Sequence, residues 1–154
     1  MDNDDIIETL NDLIETCKDG ERGFQVCGED ISDGQMKTFL IDRARICAQA
    51  ATELQEQVIG LGGNPETSSS VSAGLHRRWV DIKSAVTGKD DESILNECER
   101  GEDIAVKSYR TALEKDLPPS LRILVEKQYK GVLRNHDEVK ALRDQVRTAK
   151  NISR

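Results

Sequence analysis

Glu21 and Glu102 each close the same short pattern, Cys-x-x-Gly-Glu, in "CKDGERGF" (17–24) and "CERGEDIA" (98–105). A carboxylate set among apolar helical neighbours can hold a metal, exchange a proton or neutralise a buried cation. Projected at about 100° per residue, Glu21 falls between Cys17 and Phe24, and Glu102 at a stripe edge beside Cys98 and Ala105. The same projection sets Arg43 between Phe39 and Ile46, and Gln128, Tyr129 and His136 around Val132. Gly20 and Gly101 precede the two glutamates. A mid-helix glycine costs up to about 1 kcal/mol relative to alanine, which close approach of a neighbour would explain. Reflected through the turn after its helix, Glu21 comes level with residue 44 or 45, beside Arg43. Glu102 comes level with residue 133, within a turn of Tyr129 and His136. Glu21, Arg43, Glu102, Gln128, Tyr129 and His136 are therefore expected to form one buried polar layer. Glu21 is expected to pair with Arg43. Glu102 is expected to meet Tyr129 or His136, or Arg43 across the core.

Four helices must position that layer. Ile6, Leu10, Leu13, Cys17, Phe24 and Ile31 recur at helical spacing, giving a first helix from about Asp4 to Asp30, with Asn3 as its N-cap. "SDG" at 32–34 is a turn. Met36, Phe39, Ile46, Ala50, Leu54 and Leu61 mark a second helix from about Gln35 to Leu61, stopped by Gly62 and Gly63. Val71, Leu75, Trp79, Ile82 and Val86 mark a short helix inside the connection from Gly62 to Asp90. A hairpin turn needs only a few residues, so this connection traverses the bundle and leaves helices 2 and 3 parallel. A third helix follows from about Asp91 to Asp116. A fourth opens at Pro118 and Pro119, since proline suits a first turn, and carries Leu121, Val125, Val132, Val139 and Val146. The fold class is all-α, an up-and-down four-helix bundle with a long crossover containing a short helix. Residues 1–150 make a single domain, and 151–154 a frayed tail.

Composition supports this and excludes some classes. Of 154 residues, 33% are charged and 3% aromatic, which suits long helices with solvated faces. The net charge of −7 argues against nucleic-acid or anionic-membrane partners. No apolar run approaches the roughly 20 residues that span a bilayer. The start "MDNDDIIETL" lacks a signal-peptide pattern, so a cytoplasmic location is expected. Cys17, Cys27, Cys47 and Cys98 form no CxxC pair. They are read first as buried reduced thiols, and second as redox groups.

A bundle with an inward glutamate on helices 1 and 3 resembles the ferritin-like superfamily. The resemblance implies, for dimetal members, a Glu-x-x-His on helices 2 and 4, where i and i+3 share a face. Here helix 2 offers Arg43 and Ile46, Leu133 precedes His136 by three, and Ala73 precedes His76 by three. No Glu-x-x-His exists in the chain. The stretches "LNDLIETCKDGERGF", "DRARICAQAATELQ", "LGGNPETSSSVSAGLHRRWVDIKSAVTG", "ECERGED" and "LRNHDEV" resemble, over nearly the whole length, a family of uncharacterised bacterial ferritin-like four-helix-bundle proteins. That resemblance implies the fold and no activity.

Three readings of function follow. In the first, Arg43 supplies the positive charge a metal otherwise would, the protein needs no cofactor, and a non-catalytic bundle acts in stress response or assembly. In the alternative, Glu21, Glu102 and His136, with Tyr129 or Gln128 nearby, hold iron or manganese (or zinc) for an oxidoreductase or peroxide-detoxifying activity. In the third, the surface matters: His76, Arg77, Arg78 and Lys83 make a basic patch on the crossover helix. Trp79 either pins that helix on the bundle or contacts a homodimer mate or another protein.

Overall fold

The computed structural model describes residues 1–67 and 87–152. Among them are four helices and no strand: α1 (Asn3–Asp30), α2 (Gly34–Gly60), α3 (Asp91–Leu113) and α4 (Pro119–Ile152). The short helix expected between Val71 and Val86 lies outside the described residues. None of the four helices is long and apolar enough to cross a membrane.

Aspartates start three of the helices. Asp2, Asp33 and Asp90 each accept a hydrogen bond from the backbone N–H three residues on, at 2.8, 2.9 and 2.9 Å, which satisfies an otherwise orphaned helical donor. The first cap is thus Asp2 rather than Asn3, whose amide instead donates to the Leu61 carbonyl at 2.9 Å. Pro119 opens α4 as its missing N–H allows. The helix then continues through Ile152, so Asn151 and Ile152 are still helical. Lys150 reaches Asp90 at 3.0 Å and Glu92 at 3.2 Å, tying this last turn to the start of α3.

The two ends of the bundle fix its topology. At one end Asp91 of α3 accepts from the backbone N–H of Ser32 and Asp33, at 2.8 and 3.2 Å, and so holds the α1–α2 turn. At the other end Asn11 of α1 donates to the Asn64 carbonyl at 3.1 Å, just beyond α2. The connection from α2 to α3 therefore joins opposite ends. The helices α2 and α3 run parallel, as do α1 and α4, and every neighbouring pair is antiparallel. Ferritin-like bundles have this arrangement, with one long crossover.

The core consists of two apolar clusters. Phe24, Leu40, Ile94, Leu95 and Val139 centre the one beside the α1–α2 turn. Leu10, Leu13, Leu54, Val58 and Val125 centre the one at the far end. Fully burying each such side chain contributes about 1.5–3 kcal/mol. In α1 and α4 the inward positions follow a seven-residue seam. It reads Ile6, Leu10, Leu13, Cys17, Gly20, Phe24 in α1 and Leu121, Val125, Gln128, Val132, Asn135, Val139 in α4. The stripe of α2 follows the expected one at Met36, Arg43 and Leu54, which are buried, and lies one step beyond it elsewhere: Leu40, Cys47 and Ala51 face inward in place of Phe39, Ile46 and Ala50, and Ile46 is 39% exposed.

Close approach of α1 to α2 depends on Gly28. A Cβ there would lie 2.7 Å from Ile41 Cδ1 and 3.3 Å from the Ile41 backbone nitrogen. Overpacking of this kind costs about 1–3 kcal/mol, against a helix-propensity gain of up to about 1 kcal/mol. Gly28→Ala is therefore expected to destabilise by about 1–2 kcal/mol in urea melts. A stabilised variant would show that the two helices do not pack as closely as described.

Candidate functional site

Between the two apolar clusters the core is polar. Arg43 on α2, Glu102 on α3 and Asn135 on α4 are 8%, 2% and 5% exposed. Arg43 Nε lies 3.7 Å from Glu102 Oε1. The guanidinium also sits 6.0 Å from the centre of the Phe24 ring, close enough for a cation–π contact. Burial pushes the Glu102 carboxyl above its ordinary range, and the Arg43 charge and the Asn135 amide offset this only in part. Even so, Arg43 Nε, Glu102 Oε2 and Asn135 Nδ2 close no hydrogen bond of good geometry. Buried polar atoms without partners are rare in folded proteins and call for an explanation.

A second set of polar groups completes itself. Tyr109 donates to Gln128 Oε1 at 2.8 Å and lies 3.2 Å from Cys17 Sγ. Gln128 Nε2 in turn donates across to α2, to the Ala50 carbonyl at 3.3 Å and Glu53 Oε1 at 3.2 Å. Tyr129 stacks on Tyr109 with ring centres 6.5 Å apart. Burial drives the Cys17 thiol up to about 11, against the pull of the Tyr109 hydroxyl, and raises Cys47 and Cys98 as well. All four cysteines are free and buried. Because the thiolate is the reactive form, burial disfavours thiol chemistry at Cys17, Cys47 and Cys98.

The six residues expected in one buried layer separate into three settings. Arg43 and Glu102 meet in the core. Gln128 and Tyr129 lie at its half-buried edge. Glu21 and His136 leave it. Glu21 is 40% exposed and pairs with Lys18 of its own helix at 3.6 Å, not with Arg43. The reason is the side on which each stripe widens. In α3 the residue after the glycine is buried, giving Gly101 and Glu102. In α1 it is the residue before, giving Asp19 and Gly20. The repeated Cys-x-x-Gly-Glu therefore supplies one buried glutamate, and the α1 carboxylate at this level is Asp19. Gly20 makes room for α2, since a Cβ there would come 2.9 Å from Cys47 Sγ. His136 turns to the α3–α4 surface, with Nε2 2.6 Å from Asp103 Oδ1 and Nδ1 3.4 Å from Asp137. Glu99 stands beside Asp103 and His136, and ligand atoms of the three lie within 4.8 Å of one another. His76, Arg77, Arg78 and Trp79 fall outside the described residues.

The seven-residue seam of α4 marks Asn135, three after Val132, yet the stronger chemical promise of His136 one position later hides it. The acids that meet His136 carry no such signal, because they lie on the solvated face of α3.

A family model described as a domain of unknown function, DUF2383, matches residues 5–115. The chain belongs to the DUF2383 family. The matched part spans α1 to α3 and stops short of α4. No curated protein matches the chain. Solved structures share its fold. A dodecameric thioferritin, the bacterioferritin-related protein from Bacteroides fragilis, has a TM-score of 0.82 at 16% identity, covering 98% of this chain and 92% of that one. A ferritin-like diiron-carboxylate protein from Bacillus anthracis str. Ames gives 0.74 at 18%, covering 92% and 99%. A DPS protein from Vibrio cholerae O1, of the same broad superfamily, gives 0.76 at 15%, covering 91% and 89%. These likenesses establish a ferritin-like fold for the DUF2383 chain.

A dimetal centre does not fit the residues at this level. Where such a centre takes carboxylates and imidazoles from all four helices, this DUF2383 core presents a guanidinium on α2 and an amide on α4. Asp19 and Glu53 also line the central cavity. Yet among the described residues the group of three converging ligands is the surface one, Glu99, Asp103 and His136.

Removing one member of a buried ion pair costs about 3–5 kcal/mol, whereas replacing both with apolar groups is often nearly neutral. Arg43→Met and Glu102→Leu are each expected to destabilise by about 3–5 kcal/mol, and the double variant by far less than their sum. Glu21→Gln is expected to stay within about 0.5 kcal/mol of the parent. Additive single effects in denaturant melts would mean that the pair carries no coupling.

Proposed function

We propose that this DUF2383 protein is a non-catalytic ferritin-like bundle in which the Arg43–Glu102 pair stands in place of a dimetal centre. The observation that carries the reading is the Arg43 guanidinium, 8% exposed and 3.7 Å from the one fully buried glutamate. A fixed cation at that point repels a second one, and in a medium less polar than water this repulsion is strong. Burial disfavours the thiolate at Cys17, Cys47 and Cys98 and so argues against these thiols as nucleophiles. What remains is a helical module whose work is binding or assembly, placed by this reading in the cytoplasm and in stress response. The dodecamer of the Bacteroides fragilis relative supports assembly of copies of this chain. The basic crossover segment with His76, Arg77, Arg78 and Trp79 is proposed as the contact surface.

One observation favours a second reading. Glu99, Asp103 and His136 bring two carboxylates and an imidazole together, a donor set suited to iron, manganese or zinc. Asp137 beside Nδ1 would orient the ring with Nε2 outward, as partners of ligating histidines do. Arg143 already pairs with Glu99 and opposes a cation there. This set replaces the expected Glu21, Glu102 and His136.

Metal analysis of protein purified without a metal-affinity tag, then loaded with ferrous iron or manganese in air, separates these readings. The first predicts well under one metal per chain and no oxo-bridge absorption. About one metal per chain, lost in His136→Ala, would establish the surface site instead. About two irons per chain with an oxo-bridge band would overturn the proposal.

A further inference from the structure

Where α2 and α4 face each other, the core is open. A cavity of about 240 Å³ reaches from that gap to Arg43 and Glu102. Its lining on α1 is fully buried, whereas Gln49, Lys127 and Arg134, on α2 and α4, are exposed. The mouth therefore lies between those two helices. Gly131 sits in its rim, and a Cβ there would meet only the tip of Arg134, at 3.8 Å.

We propose that this cavity binds a small uncharged molecule with a hydrogen-bond donor and acceptor on adjacent atoms and a short apolar stem, such as a primary amide, entering between α2 and α4. Two buried atoms suggest the head group. Arg43 Nε, a donor, and Glu102 Oε2, an acceptor, close no hydrogen bond of good geometry, although the Asn135 amide and the Arg43 guanidinium lie close enough to the carboxylate to act on it. The other oxygen of the same carboxylate lies 3.7 Å from Nε, so one compact group can reach both. An amide carbonyl would accept from Nε while its N–H donates to Oε2.

Charge sets the second requirement. Asp19 and Glu53 line the cavity too, but a head group seated between Arg43 and Glu102 meets one charge of each sign, so a charged head group would lie against a like charge at close range. The walls set the third. Phe24, Ile46, Ala50, Ile104 and Val132 are the apolar part of the lining, and an alkyl stem can pack against them. The volume exceeds the roughly 150 Å³ that suffices for a benzene-sized guest. The inference rests on the absence of a dimetal centre from this layer, which the metal analysis tests separately.

The full chain, treated with chelator, can be titrated with butyramide and followed by amide shifts in NMR spectra. Saturating shifts at Arg43, Glu102 and Gly131 are expected, with a dissociation constant on the order of 1–10 mM for so small a ligand. Butyrate and butylammonium should bind about tenfold more weakly or worse. Gly131→Leu narrows the rim and should weaken butyramide about tenfold while the melting temperature holds. Lys127→Trp, at an exposed rim position, gives an independent block should the first variant fold poorly. Failure of butyramide to saturate, equal binding of all three probes, or full binding to a rim-blocked and folded variant would each overturn the site. A failed titration on protein shown to be metal-free would count against the ligand site and leave the reading of the metal-free core standing.

Discussion

A charged pair in the middle of a helical bundle is a demanding constraint, and the rest of this structure is arranged around it. Two ions leave water to meet there, and their attraction rarely offsets the desolvation in full. Burial pushes the Glu102 carboxyl upward, in the direction that such an imbalance requires. The apolar clusters on either side must therefore hold the bundle together. They do so from both ends, with α1–α2 turn residues and the first turn of α3 at one end and the α3–α4 turn at the other. The pair joins α2 to α3 across the bundle.

Small residues make this layer possible. Gly20 and Cys47 touch where α1 meets α2, with no room for a methyl group. On the opposite side the requirement reverses, and α2 and α4 stay apart at the level of Gly131. A tight pair and a loose pair of helices at one depth give a cavity open to one side. Gln128 spans the gap through Ala50 and Glu53 and so limits how far it can widen. In ferritin-like dimetal proteins ligands from four helices converge on ions at this depth. The present chain keeps the architecture and places a guanidinium within its core.

Much of this was legible in the sequence. The apolar spacing of α1 and α4, the stop at Gly62 and Gly63 and the length of the crossover specify the bundle and its parallel α2 and α3. The inward placement of Arg43 was also legible. The partner was harder to read. Glu21 and Glu102 occupy equal places in a repeated motif, and periodicity alone cannot say on which side a stripe widens. That depends on which neighbouring helix packs closer, a tertiary fact. Asp19 and Asn135 were missed for the same reason. His136 drew attention as a scarce and versatile residue, though it lies one step off the seam that runs through Asn135.

The central claim is that Glu102 is a carboxylate buried beyond what Arg43 fully offsets. Its linkage to pH tests this most directly. A carboxyl raised in the folded state binds its proton more tightly there than in the unfolded chain. Its stability contribution is therefore greatest below the ordinary value of 4.5 and is lost as pH rises from there through the raised folded value. The measurement is a series of urea melts of the parent protein and Glu102→Gln across that range. The parent should lose stability relative to the variant as pH rises, because glutamine does not titrate. Parallel pH profiles, or a parent that gains stability on the variant with rising pH, would contradict the account.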